Sequence, residues 1–373
     1  MTAELDDYLA SFAEPTGYLN FGSYGPPSRA VVETIGRLTA AASTGVPSAG
    51  LHAEDDNALA AVARLTGFDR GAVVLTPSTS FGLLQIAFGL PRGAVLVSSA
   101  EFPSNLYAWW RAQDAGLTTV RTLRAVPGDE LAPVTPERVA ASLTPDTVAV
   151  AVSAVDFRTG VRADLAGIRS AIGDRLLVVD GIQAFGVVDT DWTLADALVV
   201  GGQKWLRAGW GTGFVALSPR GLARLRPILG GWTGVERSAH YDGVPHEPFP
   251  GAQRFSTTNG SPFASGALAT ALAQLESVGV AAVQRRIEST ASAFIGRLLA
   301  ADLPVLSPLP SHERAGLVVV GIAHGNARSV HERLDAAGVT ATVHGDDRIR
   351  FSMHATTTPA ALDAALAVLA EPA

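Results

Sequence analysis

The sequence contains no cysteine. That removes disulfides, thiolate metal sites and a cysteine nucleophile together. Histidine is sparse and scattered: the eight residues form no HExxH and no comparably close set, so no metal site is expected. Excess positive charge is missing too. The net charge is −7 and no Lys/Arg run occurs, so neither nucleic acid nor an anionic membrane is an expected partner. Long apolar runs are absent: stretches such as 148–152 and 317–322 have the length of strands, far short of a membrane span. Residues Met1 to Asp7 are acidic and lack the apolar segment of a secretory signal. The expectation is a cytoplasmic protein.

The most informative scarcity is that of lysine. Of 28 lysine and arginine residues, one, Lys204, is lysine. GC-rich coding explains why lysine is rare but not why one is kept. Arginine replaces lysine as a surface charge, yet its pKa is too high for it to lose a proton and attack a carbonyl. A lone lysine is therefore a candidate for amine chemistry.

What is present suits an ordered chain. With 373 residues, 47% of them apolar and 17% charged, it can bury a large core and hold one large and one small domain. A short helix is expected before Pro15, then a Gly/Pro-rich turn at 22–27, and helices over 28–44 and 55–66. Short Val/Leu-rich runs at 72–76, 94–98, 119–123, 148–154, 176–179 and 197–200 alternate with helical stretches, and 213–217 is a further strand. Such runs, apolar throughout and bounded by turn residues, predict an α/β fold with a mostly parallel seven-stranded sheet covered on both faces. After about residue 260 the character changes. An Ala/Leu-rich helical stretch over 263–299 breaks near Gly279. It is followed by a strand at 316–322, a helix at 327–337, strands at 340–344 and 348–353, and a last helix at 359–369. The division expected is a large domain over 15–260 and a small α+β C-terminal domain over 261–373, joined by 1–14.

Four segments carry the chemistry. The run 176–179 ends at Asp180, and the run 197–200 ends in Gly201-Gly202-Gln203-Lys204-Trp205. Neighbouring strands would put carboxylate and amine on one rim, where open α/β sheets place ligands. The pair suits pyridoxal 5′-phosphate (PLP): the amine forms an imine with the aldehyde, and the carboxylate keeps the pyridine nitrogen protonated. Asp180 could equally cap the next helix. The third segment, Thr76-Pro77-Ser78-Thr79-Ser80, puts small hydroxyls at a helix start, which suits a phosphate or an ordinary cap. In the fourth, Glu101-Phe102-Pro103-Ser104-Asn105, Phe102 could stack on a flat ring or fill the core.

With D-x-x-Q at Asp180–Gln183 and G-G-Q-K-W around Lys204, the chain resembles the class V aminotransferase family of fold-type I PLP enzymes over nearly its whole length. The resemblance implies that Lys204 is the Schiff-base lysine, that Asp180 meets the ring nitrogen and that Gln183 meets the phenolic oxygen. Thr79, Ser80 and Gln203 would hold the phosphate, and Phe102 would stack on the ring. Asp156 sits where relatives carry a cofactor-facing asparagine, which leaves its role open. Thr258, in R-F-S-T-T-N-G-S, belongs to a segment that reaches the partner subunit's phosphate in a homodimer. Arg350 matches the arginine that clamps a substrate α-carboxylate, and Tyr24 is a further substrate contact.

The segments at 102–107 and 155–160 resemble kynureninases. The absence of cysteine excludes desulfurase chemistry that passes sulfur to a cysteine. Within the family the whole sequence most resembles the hercynylcysteine sulfoxide lyases of ergothioneine biosynthesis. That implies β-elimination giving a sulfenate on the way to ergothioneine, with pyruvate and ammonia. Kynureninase-like hydrolysis, epimerisation of the isopenicillin N type, transamination and a non-catalytic scaffold are the alternatives. A trimethylammonium–imidazole substrate would need cation–π partners, for which Tyr24, Trp109, Trp110, Trp205 and Trp232 are candidates.

Overall fold

Runs such as Leu-Leu-Val-Val and Ala-Leu-Val-Val carry no polar face, so they are stable only where both faces of a sheet are covered. In the computed structural model, which describes residues 3–123 and 126–371, they form the centre of a seven-stranded sheet. Its strands are β1 (Val73–Leu75), β2 (Ala94–Ser98), β3 (Thr119–Leu123), β4 (Thr147–Ser153), β5 (Leu176–Asp180), β6 (Ala197–Gly201) and β7 (Gly213–Leu217). Their order is β1-β7-β6-β5-β4-β2-β3. β7 runs antiparallel to both β1 and β6, and the other neighbours are parallel.

Successive strand residues point to opposite faces. Leu96, Val150, Leu177 and Leu198 thus enter one apolar layer, while Val95, Ala149, Val178 and Val199 enter the other. From β2 the chain moves outward to β3, then returns to place β4 on the other side of β2. This reversal opens a crevice at the C-terminal ends of β2 and β4, the usual ligand position in such sheets.

The helices Pro262–Val278 and Val280–Ala300 are bent by 79° at Gly279, whose φ of 78° suits glycine. Beyond them β8 (Leu317–Gly321), β9 (Thr342–His344) and β10 (Arg348–Ser352) make an antiparallel sheet of order β8-β10-β9. Phe294 and Leu298 of one helix and Leu362 and Ala365 of another pack on Ile349 and Phe351. The N-terminal segment links the two sheets. Tyr18 bridges to Thr340 just before β9 and Asn20 to Ser352 of β10, while Leu5 and Tyr8 are buried in the apolar layer that includes Leu177 and Leu198. The ends of the expected small domain, residues 1–2 and 372–373, lie outside the described residues. Among those described, no single helix is long and apolar enough to cross a membrane.

Candidate active site

β5 ends with its carboxylate at the crevice side of the sheet. Asp180 is buried, and its Oδ1 accepts the Ile182 backbone N–H at 3.0 Å. Burial pushes its pKa up to about 6, against the opposing pull of the Ile182 N–H and of Lys204. β6 is the next strand, and the turn 201–203 delivers Lys204 beside it. The lysine is buried too, its Nζ 5.2 Å from the centre of the Phe102 ring. Desolvation brings its pKa down to about 8, with Asp180 raising it and Arg350 lowering it further. Carboxylate and amine therefore act on each other's charge, and among the described residues the amine has neither hydrogen bond nor ion pair.

The phosphate side is built at the start of the helix Thr79–Gly89. Ser78 caps it by accepting the Phe81 N–H at 3.1 Å, which leaves Thr79 at the first turn. The Thr79 hydroxyl is buried without a hydrogen-bond partner. A Cβ at Gly201 would stand 2.8 Å from that hydroxyl and 2.6 Å from Gln203 Oε1. The glycine thus keeps open a cradle between two polar side chains and a helix N-terminus, and an orphaned hydroxyl there fits a phosphate. Ser80 lies on the same turn, its hydroxyl 2.7 Å from that of Ser104. Phe102 is 41% exposed and meets Phe157 edge-on at 5.2 Å, which leaves a ring face free for stacking.

Gln183 is fixed from two sides. Its amide donates to the Gly22 carbonyl at 2.9 Å, and its Oε1 accepts the Trp205 indole N–H at 2.8 Å. One amide hydrogen remains for the cleft. Trp205 and Trp109 are fully buried, and Trp109 donates to Asn105, so neither is available to a substrate and the expected cation–π role falls away for both. Tyr24 stacks on exposed Trp210 at 5.4 Å and 15°; Trp232 stands half-exposed and Trp110 packs edge-on to Tyr107.

Arg350 comes from β10. It is buried and donates to the Phe157 carbonyl at 3.1 Å, to the Ser23 hydroxyl at 2.9 Å and to the Thr342 hydroxyl at 3.3 Å. No carboxylate pairs with it among the described residues, and its Nε has no partner. Burial lowers its pKa to about 10. A buried guanidinium held only by neutral groups is poised for an anion.

Asp156 and Thr258 differ in their surroundings. Asp156 gives both oxygens to Arg158, at 2.8 and 3.1 Å on Oδ1 and 2.5 Å on Oδ2. Thr258 is exposed, and its carbonyl accepts the Ser256 hydroxyl at 3.5 Å. Sequence reasoning left several neighbours without a role. Glu101 is buried beside Asp180. Ser23 and Thr342 hold Arg350. His344 packs on Phe157 at 5.6 Å, its pKa brought down to about 4 by burial and then by Arg350, Arg348 and Arg158. Glu101 stood next to Phe102 in a segment already singled out. The others carried no signal, because their partners lie far away in sequence.

Residues 31–370 match the family model described as aminotransferase class V. A kynureninase of Deinococcus radiodurans is 31% identical over 314 residues, spanning 79% of this chain and 72% of the relative. Among solved structures, the cystine C–S lyase C-DES in complex with cysteine persulfide superposes with a TM-score of 0.86 at 22% identity, covering 95% of this chain and 97% of the other. The Escherichia coli cysteine desulfurase CsdA gives 0.84 at 18% identity, covering 99% and 98%.

Proposed function

Because the chain belongs to the class V aminotransferase family, a family of PLP enzymes, we propose that it is a carbon–sulfur lyase that eliminates sulfur from the β-carbon of an S-conjugated cysteine. The observation that carries the reading is the convergence of a buried amine, a buried carboxylate and a buried guanidinium that has no carboxylate partner among the described residues, all close enough for the carboxylate and the guanidinium to act on the amine's charge. The residues fit PLP. Lys204 would hold the aldehyde, Asp180 the ring nitrogen, Phe102 the ring face, Gln183 the phenolic oxygen, and Thr79, Ser80 and Gln203 the phosphate. Bound there, PLP supplies an electron sink for negative charge at the substrate Cα.

The chain's own groups do the rest. Arg350 takes the substrate α-carboxylate in its fork, and Ser23, Thr342 and the Phe157 carbonyl keep that fork in place. This fixes Cα relative to Lys204. The amine of Lys204, its basicity lowered by burial, removes the Cα proton. The Cβ–S bond breaks and the sulfur leaves with the electron pair. With hercynylcysteine sulfoxide as substrate, the leaving group is a sulfenate, a better leaving group than a thiolate and one that needs little acid assistance. Uptake of one water gives pyruvate and ammonia beside the sulfenic product.

The absence of cysteine supports sulfur chemistry without a persulfide relay. The kynureninase relative favours a second reading, hydrolysis of a carbon–carbon bond in a kynurenine-type substrate. Incubation with hercynylcysteine sulfoxide, assaying pyruvate and the thione after reduction, separates the two. Turnover supports the lyase; turnover of kynurenine without any of the sulfoxide overturns it. We propose further that the enzyme is a homodimer in which Thr258 reaches the neighbouring phosphate site. A monomer by sedimentation that binds PLP fully would overturn that.

A further inference from the structure

The crevice where the sheet reverses holds a second carboxylate that the reaction above leaves unused. Glu101 follows β2, and Ser153 ends β4 on the other side of the reversal. Glu101 Oε1 accepts the Ser153 backbone N–H at 2.9 Å, and its Oε2 accepts the Ser153 hydroxyl. Ser153 in turn is the register partner of Asp180 across β4 and β5, and the Ala154 N–H donates to the Asp180 carbonyl at 2.9 Å. The serine that holds the Glu101 carboxylate is thus the sheet neighbour of Asp180, and the two buried carboxylates are close enough for Asp180 to raise the pKa of Glu101.

We propose that Glu101 is a positioning residue for the cofactor site: held by Ser153 on the strand next to Asp180, its carboxylate adds through space to the negative field that keeps the ring nitrogen protonated. The inference rests on the cofactor assignment but not on the identity of the substrate.

Several observations carry it. The groups holding Glu101, the Ser153 N–H and hydroxyl with the Asn105 side chain beside them, are all neutral, so its charge is not cancelled by its own partners. Among the described residues, the charged and titratable groups facing it are Asp180 from β5, with Lys204 beyond it, and Asp156 and Arg158 across a small cavity that Ser98 and Ser153 also line. Asp156 and Arg158 neutralise each other, which leaves Asp180 as the group on which Glu101 acts. Its pKa is pushed up to about 7, chiefly by burial, with Ser153 and Asn105 opposing and Asp180 adding to the rise. The carboxyl therefore changes charge within the working range of pH.

The test is a pH titration of the visible spectrum of the cofactor-loaded protein, without substrate. A buried charge one side chain removed shifts a neighbouring ionisation by about one pH unit. Glu101→Gln should therefore lower the midpoint of the cofactor's spectral transition by about one unit and loosen cofactor retention on dialysis. Ser153→Ala, which frees Glu101 to hold its proton more tightly, should shift the midpoint the same way by less, and it serves should Glu101→Gln fold poorly. A folded Glu101→Gln protein whose titration and cofactor retention superimpose on the wild type would overturn the proposal, as would an unshifted Ser153→Ala midpoint. A wild-type protein with no visible chromophore would overturn the cofactor assignment and this inference together. Inactivity toward the sulfoxide alone, with the shift observed, would fail the substrate reading and leave the role of Glu101 supported.

Discussion

Arg350 of β10 donates to the Ser23 hydroxyl at 2.9 Å, so the guanidinium is oriented by a residue 327 positions away in sequence. The contact ties the small sheet to the N-terminal segment that also carries Gly22, the acceptor for Gln183. The proposed substrate clamp and the proposed cofactor contact thus share one loop.

The fork geometry of Arg350 gives the first prediction. Arg350→Lys keeps the charge but loses the paired N–H donors. Losing a charge-assisted hydrogen bond costs about 1.5–3 kcal/mol, so kcat/KM should fall by roughly ten- to hundredfold, mostly through KM, with the cofactor's absorbance unchanged. Equal losses in kcat and none in KM would mean that the residue does not hold the substrate in the ground state.

Lys204 gives a pH prediction for cofactor uptake by the cofactor-free protein, because only the neutral amine attacks an aldehyde. With its pKa down at about 8, the rate should climb about tenfold per unit as pH rises toward 8 and level off above it, whereas an ordinary lysine would climb to about 10.4. Asp180 raises the lysine pKa, so Asp180→Asn should move the bend to lower pH. Stopped-flow absorbance after mixing with PLP reads both.

The buried Thr79 hydroxyl is without a protein partner, so its replacement should be felt only when the cofactor is bound. Thr79→Val is expected to weaken PLP retention by roughly tenfold or more, since hydrogen bonds to charged groups are worth about 1.5–3 kcal/mol, while the thermal midpoint of the cofactor-free protein stays near the wild type. Thr79→Ser should hold PLP within a few-fold. Equilibrium dialysis followed by absorbance makes the comparison.

These sites differ in how far they could be read from the sequence. The rim positions of Asp180 and Lys204 were legible because one ends and the other closely follows a short apolar run, and strands buried on both faces leave nowhere but the rim for such groups. The sheet was legible for the same reason, and the break between the two long helices was legible from Gly279. Fixation of Arg350 was not: Phe157, Ser23 and Thr342 come from three segments that only the folded chain assembles. Nor was the fate of the tryptophans. An indole has an apolar body and one polar tip, so it reads alike as core or as contact. Trp205 and Trp109 satisfy their N–H groups on Gln183 and Asn105 and are buried.

Arg207, three residues after Lys204, is fully buried. It pairs with Glu14, donates to the Pro26 carbonyl at 2.6 Å and lies 3.5 Å from the centre of the Phe12 ring. Removing one partner of a buried pair leaves the other charge uncompensated, at a cost of about 3–5 kcal/mol. Arg207→Met should lower unfolding stability by that amount, and adding Glu14→Gln should recover much of it. Urea denaturation of the two variants checks the sign. A double variant no more stable than Arg207→Met would mean that packing on Phe12, and not charge, is what Arg207 supplies.

His354 gives the last prediction, because it is buried among the rings of Tyr8, Phe12, Phe21 and Trp205. Neither ring nitrogen has a side-chain or backbone partner at hydrogen-bond geometry, and burial, then the nearby Arg207, holds its pKa well below the ordinary value. In the unfolded chain the imidazole takes up a proton near pH 6.5, while in the fold it stays neutral. Below that pH the unfolded state binds more protons, so the stability His354 contributes is present above about pH 6.5 and lost on acidification, at about 1.4 kcal/mol for each pH unit. Asp180 and Glu101, with raised pKa values, act in the opposite sense, gaining stability as pH falls, so the wild-type profile alone mixes the two. The difference between wild type and His354→Phe isolates the imidazole. Between pH 7 and 5 the wild type should lose thermal stability relative to the variant, and parallel profiles would mean that this histidine is protonated in the fold.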